Sequence, residues 1–210
     1  MAQLFPAWVN RLPKRIALGG VASIVALALG AWYSFSPEFT DVGYRPRQPI
    51  EFSHRLHAGE LEVDCRYCHP TAETAAVASL PSTAGCMNCH ALVGRDSEAL
   101  EPLRRSAEDG QPIAWVRVHD LPDYSSFDHS VHLAAGVGCV SCHGDVTRME
   151  RLRQVEPLSM RWCLDCHRDP QPELRPVAEV ASPHWKRRQS PDWSPADEVG
   201  GPEDCSACHS

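Results

Sequence analysis

The 210-residue sequence has no surplus of positive charge: 20 Lys+Arg face 27 Asp+Glu, a formal net charge of −7. A nucleic-acid binder needs a basic face to meet phosphate, so that class is excluded. Long uninterrupted elements are also lacking, because 18 Pro and 13 Gly punctuate the chain. Extended helices and a broad sheet are therefore not expected over most of its length. Nor does any cysteine stand alone. All ten fall into one repeated pattern, whereas a disulfide framework would scatter its spacings, and a cytosolic enzyme kept reduced rarely carries so many.

That pattern is Cys-x-x-Cys-His, present five times: Cys65-Arg-Tyr-Cys68-His69, Cys86-Met-Asn-Cys89-His90, Cys139-Val-Ser-Cys142-His143, Cys163-Leu-Asp-Cys166-His167 and Cys205-Ser-Ala-Cys208-His209. Two thiols three residues apart reach the two vinyl groups of one haem and form thioethers, and the following His sits beneath the iron as proximal ligand. A single copy is ambiguous with half a zinc site or a redox dithiol. Nothing in zinc chemistry requires a His after every second Cys, so five copies read as five covalently attached c-type haems.

Thioether attachment takes place outside the bacterial cytoplasm, so the chain must be exported. Ile16 to Phe35 is an uncharged run of 20 residues, preceded by Arg11, Lys14 and Arg15 and by no acid. Its length matches a bilayer core, the flanking bases hold the N-terminus inside, and Trp32 and Tyr33 occupy interfacial positions. The competing reading is a signal peptide cleaved after Ala26-Leu27-Ala28. That site falls within the apolar run, so residues 1–35 are expected to remain as a single-pass inner-membrane anchor with the haem domain on the periplasmic side. Removing its three bases leaves 17 Lys+Arg against 27 Asp+Glu, a formal −10. Arg148, Arg151, Arg153, Arg161 and Arg168 are candidates to neutralise haem propionates.

The exported part contains an internal repeat. Phe52-Ser-His54-Arg-Leu-His57 leads into the first motif, and Phe127-Asp-His129-Ser-Val-His132 leads into the third. Linkers of 16 and 19 residues then reach the second and fourth motifs, which follow Leu80-Pro-Ser and Pro157-Leu-Ser. Residues 36–92 thus form one haem-pair unit and 125–170 its copy, joined by a connector, 93–124. In the connector, Glu98 to Glu108 is expected to be helical, with Leu100 and Leu103 on one face, and Ile113 to Val118 alternates like a strand. Residues 171–210 form a proline-rich arm, with no periodic apolar face, that carries the fifth motif and is expected to lie extended over the surface. The expected fold is mostly irregular with short α-helices, a multihaem cytochrome c whose core is the haems, plus one N-terminal transmembrane helix.

Six His lie outside the motifs: His54, His57, His119, His129, His132 and His184. His at i and i+3 share a helix face, so His54, His57, His129 and His132 are read as distal iron ligands. His119 is the expected fifth, with Met160 and His184 as the alternatives and Met87 the poorest candidate. Iron sites capped in this way carry electrons and do not bind substrate, so the chain is not expected to be an enzyme itself. No Cys-x-x-Cys-Lys motif of the pentahaem nitrite reductase kind occurs.

The Phe-x-His-x-x-His segments before Cys-x-x-Cys-His resemble those of the cytochrome c3 and c7 class. In that class the first His ligates the haem of the following motif and the second reaches another haem. Carried over, His54 completes the haem of His69, and His129 that of His143. Over nearly the whole chain, Phe52-Ser-His54-Arg-Leu-His57-Ala-Gly-Glu, Trp115-Val-Arg-Val-His119-Asp-Leu-Pro-Asp, Gly136-Val-Gly-Cys139 and Glu156-Pro-Leu-Ser-Met160-Arg-Trp-Cys163 look like the pentahaem cytochrome subunit of alternative complex III. That resemblance implies a respiratory complex which oxidises membrane quinol and passes electrons to a periplasmic cytochrome c or an oxidase. The implied partners are an iron–sulfur subunit related to molybdopterin enzymes, integral quinol-binding subunits and a monohaem cytochrome c. The alternative is a self-sufficient quinol dehydrogenase of the NapC/NrfH type, which places a haem motif just after its anchor. Here 29 residues separate Phe35 from Cys65.

Overall fold

The computed structural model describes residues 5–187, 192–195 and 199–209. Pro191, one of the prolines of the expected arm, lies outside the described residues. The chain divides into two compact units, Met1–Asp41 and Val42–Ser210.

In the first unit a helical span runs from Trp8 to Ser34, 27 residues with a mean hydropathy of 1.9 in its apolar window and no part of that window buried. Its main body is α1 (Leu12–Ser34), with Pro13 in the first turn, where a missing N–H costs nothing. At 1.5 Å per residue these 23 residues reach about 35 Å, enough for a bilayer core. By length and composition the helix is long and apolar enough to cross a membrane, a test that a signal sequence also passes. A short second helix, α2 (Pro37–Thr40), follows, and Phe39 packs edge-on against Tyr33 at 5.6 Å.

The second unit is a set of short helices joined by irregular chain, and four of the five motifs share one construction. Each Cys pair lies on a helix: α3 (Cys65–Cys68), α4 (Thr83–His90), then after α5 (Glu101–Asp109) and α6 (His129–Ala134), α7 (Cys139–His143), α8 (Met160–Arg168) and α9 (Cys205–Cys208). A side-chain oxygen caps four of these: Asp64 accepts from Arg66 N, Ser82 from Gly85 N, Ser159 from Trp162 N and Asp204 from Ala207 N. Such caps satisfy N–H groups that a helix only one or two turns long cannot pair internally. At α7 the cap is Gly138, where a Cβ would stand 2.2 Å from the Arg175 guanidinium.

Among the described residues there is no strand, and two isolated bridges, Ser125 with His209 and Val137 with Leu174, are the sole sheet-like pairings. The strand expected at 113–118 does not form. The backbone of Val116 pairs instead with one side-chain amide: Val116 N donates to Gln48 Oε1 (2.9 Å) and Gln48 Nε2 donates to Val116 O (2.8 Å). The connector helix forms as expected, with Leu103 buried and Gly110 in the left-handed conformation ending it.

The arm corrects a second expectation, that of a surface strap. Leu174 and Val180, each 1% exposed, are the two most buried large side chains described. Val180 O accepts from Cys139 N, and the arm's Arg175 N donates to Gly136 O, so the segment is the floor beneath the third motif. Among the described residues the buried apolar side chains are Ile50, Leu103, Val118, Leu133, Met149, Leu174 and Val180.

Candidate functional site

The histidine rings carry the chemistry. In seven of them Nδ1 faces a backbone carbonyl: His57 with Ser53 (2.9 Å), His69 with Ser79 (2.7 Å), His90 with Val93 (2.9 Å), His129 with Ala76 (2.8 Å), His132 with Asp128 (2.7 Å), His167 with Pro202 (2.7 Å) and His209 with Tyr124 (3.2 Å). A carbonyl can only accept, so Nδ1 carries a proton, and Nε2 is the nitrogen left to serve as a ligand. A metal-ligating imidazole is held in this manner, its tautomer and ring plane fixed by the second nitrogen.

Rings also oppose one another. His57 and His90 have centroids 6.1 Å apart, His132 and His167 6.0 Å, and His129 and His143 6.4 Å with planes only 6° from parallel. Two imidazoles on opposite sides of one metal ion, each bonded at about 2 Å, stand with centroids about 6 Å apart. Phe52 and Phe127 brace the histidines of the two repeats: each lies 4.4 Å from the second His of its segment and meets the first edge-on, at 4.9 and 4.8 Å.

Several of these imidazoles are kept neutral, as iron ligation demands. Burial, reinforced by His69, His57 and His119, pushes His54 down to about 4. Burial pushes His143 to about 3, with His119, His129, His69 and His54 adding to it. Burial likewise lowers His119 and His132. Two buried ring nitrogens have no partner, His54 Nδ1 and His119 Nε2. An orphaned donor or acceptor of that kind costs about 1–3 kcal/mol unless something occupies it, and of the two only His119 Nε2 is the nitrogen that the carbonyl-bound rings would turn toward a metal.

The Cys pairs fit the same group. None of the ten is in a disulfide, and all are at least partly accessible, as thioether formation requires. The motifs are neighbours: the Cys65 and Cys139 thiols each perturb the other's titration. Burial and then the nearby thiols Cys86, Cys65 and Cys89 raise Cys68, burial and then Cys166 and Cys163 raise Cys142 to about 12, and burial and then Cys208 raise Cys163.

His119 meets the ring of His143 edge-on at 4.4 Å and lies near His54. The ring beside His209 is that of Tyr124, at 5.8 Å. Met160 is 66% exposed at the start of α8, and His184 is exposed on the arm. Of the arginines singled out, Arg151 pairs with Glu51 (3.0 Å), Arg161 with Asp165 (3.6 Å) and Arg168 with Glu203 (2.9 Å), so three already meet carboxylates. The sequence reading missed Arg175. It is buried, with Nε unpartnered, its guanidinium 5.4 Å from the Trp185 ring centre and close to Cys139. Proline-rich surroundings hid it; the one available signal was a lone Arg between Leu174 and Pro176.

Paired imidazoles with a fixed Nδ1 proton beside accessible Cys pairs are the arrangement that covalently held haem would need. The comparisons agree: residues 125–210 match the family described as cytochrome c7 and related cytochrome c, and residues 36–111 match the class III cytochrome C family. Both matches imply covalently bound c-type haem. The chain is also 34% identical over 140 residues to the menaquinone reductase multiheme cytochrome c subunit of Nitratidesulfovibrio vulgaris (Hildenborough), the alignment covering 64% of this chain and 64% of that protein.

Proposed function

We propose that this chain is a membrane-anchored pentahaem electron relay, working inside a complex that exchanges electrons with the quinone pool, of the alternative complex III type. The carrying observation is the three opposed imidazole pairs at 6.0–6.4 Å, each joining a motif His to a distal His. The residues would hold haem as follows. Cys65 and Cys68, Cys86 and Cys89, Cys139 and Cys142, Cys163 and Cys166, and Cys205 and Cys208 supply the thioethers. His69, His90, His143, His167 and His209 are the proximal ligands. His57, His129 and His132 are the distal ligands opposite His90, His143 and His167, His54 serves the first motif, and His119 offers its unpartnered Nε2. When bound, haem supplies one-electron carriage between ferric and ferrous iron.

The protein's own part is to fix seven of the rings through backbone carbonyls and to hold His54, His119, His132 and His143 neutral by burial. Quinone chemistry then belongs to partner subunits, with α1 tethering the relay beside them on the periplasmic side. A second reading has support in the name of the N. vulgaris relative, a menaquinone reductase: electrons would run through the relay toward quinone instead of away from it.

Purification in mild detergent is expected to bring down integral quinone-binding subunits and an iron–sulfur subunit. The chain alone in lipid, given a quinol analogue, should stay oxidised, and reduction at catalytic rates would favour a self-sufficient NapC/NrfH-type dehydrogenase. In the intact complex, haem reduction by quinol supports outward flow, and quinone reduction by pre-reduced haems supports the second reading.

A further inference from the structure

We propose that the five haem sites form one unbranched file in the order two, one, three, four, five, with motifs two and five as its ends. The proposal rests on the relay reading above. It departs from the order along the chain at one point: motif one, not motif two, is the neighbour of motif three.

Each junction is visible in the polypeptide. Motifs two and one meet where Asn88 Nδ2 donates to Tyr67 Oη (3.1 Å), both residues lying inside their Cys-x-x-Cys loops. The Phe52 segment bridges the same pair, since His57 opposes His90 while His54 precedes motif one. Motifs one and three meet on the arm: Cys65 Sγ lies 3.6 Å from Ala181 O, and Cys139 N donates to the adjoining Val180 O at 3.0 Å. Gly59, on the approach to motif one, lies against Thr147, just beyond motif three; a Cβ there would stand 2.3 Å from the Thr147 carbonyl. His129 N and Nδ1 both reach Ala76 O, tying the second unit to the loop after motif one.

Motifs three and four share α6, whose His129 and His132 oppose His143 and His167. Motif five is bound to motif four by its lead-in. A Cβ on Gly201 would come within 2.3 Å of the His167 ring, Pro202 O accepts from His167 Nδ1, and Glu203 pairs with Arg168. Exposure marks the ends independently. Among the ten cysteines, Cys89 of motif two and Cys205 of motif five are the two classed as exposed, while those of motifs one, three and four are half-buried. Carriers at the ends of such a file are the ones that can exchange electrons with partners, and Leu92, 83% exposed beside motif two, belongs to the surface there.

The test uses the mature full chain with one haem labelled by a distal substitution. Methionine ligation raises a haem's potential, so in His57→Met the haem of motif two is reduced first, and in His132→Met that of motif four. Reduction makes the labelled iron diamagnetic, and the electron paramagnetic resonance signals of its magnetic neighbours change. One neighbour is expected to respond to the motif-two label and two to the motif-four label. Two responding to the first, or one to the second, overturns the order. Absence of the sulfur-to-iron absorption band in both variants would count against the distal-ligand assignment and not against the order. In that case, or if either variant fails to mature, iron–iron distances in the unmodified mature chain decide. Iron one must lie between irons two and three, and iron four between three and five; iron two beside iron three refutes the proposal.

Discussion

In the first Phe-x-His-x-x-His unit His57 lies in a π-helical turn, Arg55–Glu60, entered at His54, whereas in the second His129 and His132 lie on a regular α-helix, His129–Ala134. The backbones differ, yet the rings superpose in their essentials. Phe-to-second-His separations are both 4.4 Å, and the second His opposes its motif partner at 6.1 Å in one unit and 6.0 Å in the other. In both, the second His returns its Nδ1 proton to the carbonyl four residues earlier, Ser53 or Asp128. The ring positions are therefore set by the Phe brace and this short hydrogen bond, and the helix type is free to vary around them. A π-turn inside a helix often marks a functional site, where an extra residue is absorbed to keep side chains aimed. The units differ at the first His: His129 Nδ1 is paired with Ala76 O, while His54 Nδ1 is buried without a partner.

The comparison breaks most readily at the motifs themselves. Motif three is the more deeply seated: the thiol of Cys142 is pushed up to about 12 by burial, and Cys139 is tied to the arm through Val180. Motif two, with Cys89 exposed, sits at an edge. The double substitution Cys139→Ala/Cys142→Ala should cut mature, haem-stained protein at least about tenfold, a loss that about 1.4 kcal/mol suffices to cause in a marginally stable domain. Cys86→Ala/Cys89→Ala should lose one haem and leave protein level within about threefold, since an edge site supports fewer neighbours. Haem staining beside immunoblotting of membranes reads both, and equal losses would show that the two sites are equally central.

How much of this was legible beforehand follows from which interactions are local. The Cys-x-x-Cys-His spacing and the Phe-x-His-x-x-His repeat are local and single out the histidines. Of the opposed pairs, however, only His129 with His143 was expected, from the resemblance, because His57 with His90 and His132 with His167 are brought together across more than 30 residues. The caps Asp64, Ser82, Ser159 and Asp204 are equally local. The burial of Leu174, Val180 and Arg175 was not legible, because no period marks an irregular segment and their partners lie about 40 residues away at Gly136–Cys139. The absent strand at 113–118 fails for a related reason. Alternation shows that a segment can be half-buried, but Gln48, 68 positions earlier, supplies the pairing that a neighbouring strand would have given.

A smaller effect tests the equivalence of the second histidines. His57→Ala and His132→Ala should each convert one haem from low to high spin, visible in the electron paramagnetic resonance spectrum, with a stability loss of about 1–3 kcal/mol from the opened space. The two variants should match, because brace, hydrogen bond and opposing ring are the same in both. A spectrum left unchanged in one of them would mean that its unit uses another ligand and that the repeat is one of sequence only.

The smallest effect concerns the residue before the first His in each unit. Ser53 Oγ accepts from Leu56 N at 3.1 Å, and Asp128 Oδ1 accepts from both Ser130 N (2.8 Å) and Ser130 Oγ (2.6 Å). Each side chain thus fixes the start of the turn that carries its two histidines. Ser53→Ala should cost about 1 kcal/mol, the usual price of a lost cap. Asp128→Ala should cost more, because two hydrogen bonds go and a carboxylate at a helix N-terminus also opposes the helix dipole favourably. Thermal unfolding of the mature protein, followed at a haem absorption band, measures the difference. If the π-helical turn needs its cap more than the α-helix does, the order inverts, and the first unit is then the one whose ring geometry depends on its backbone.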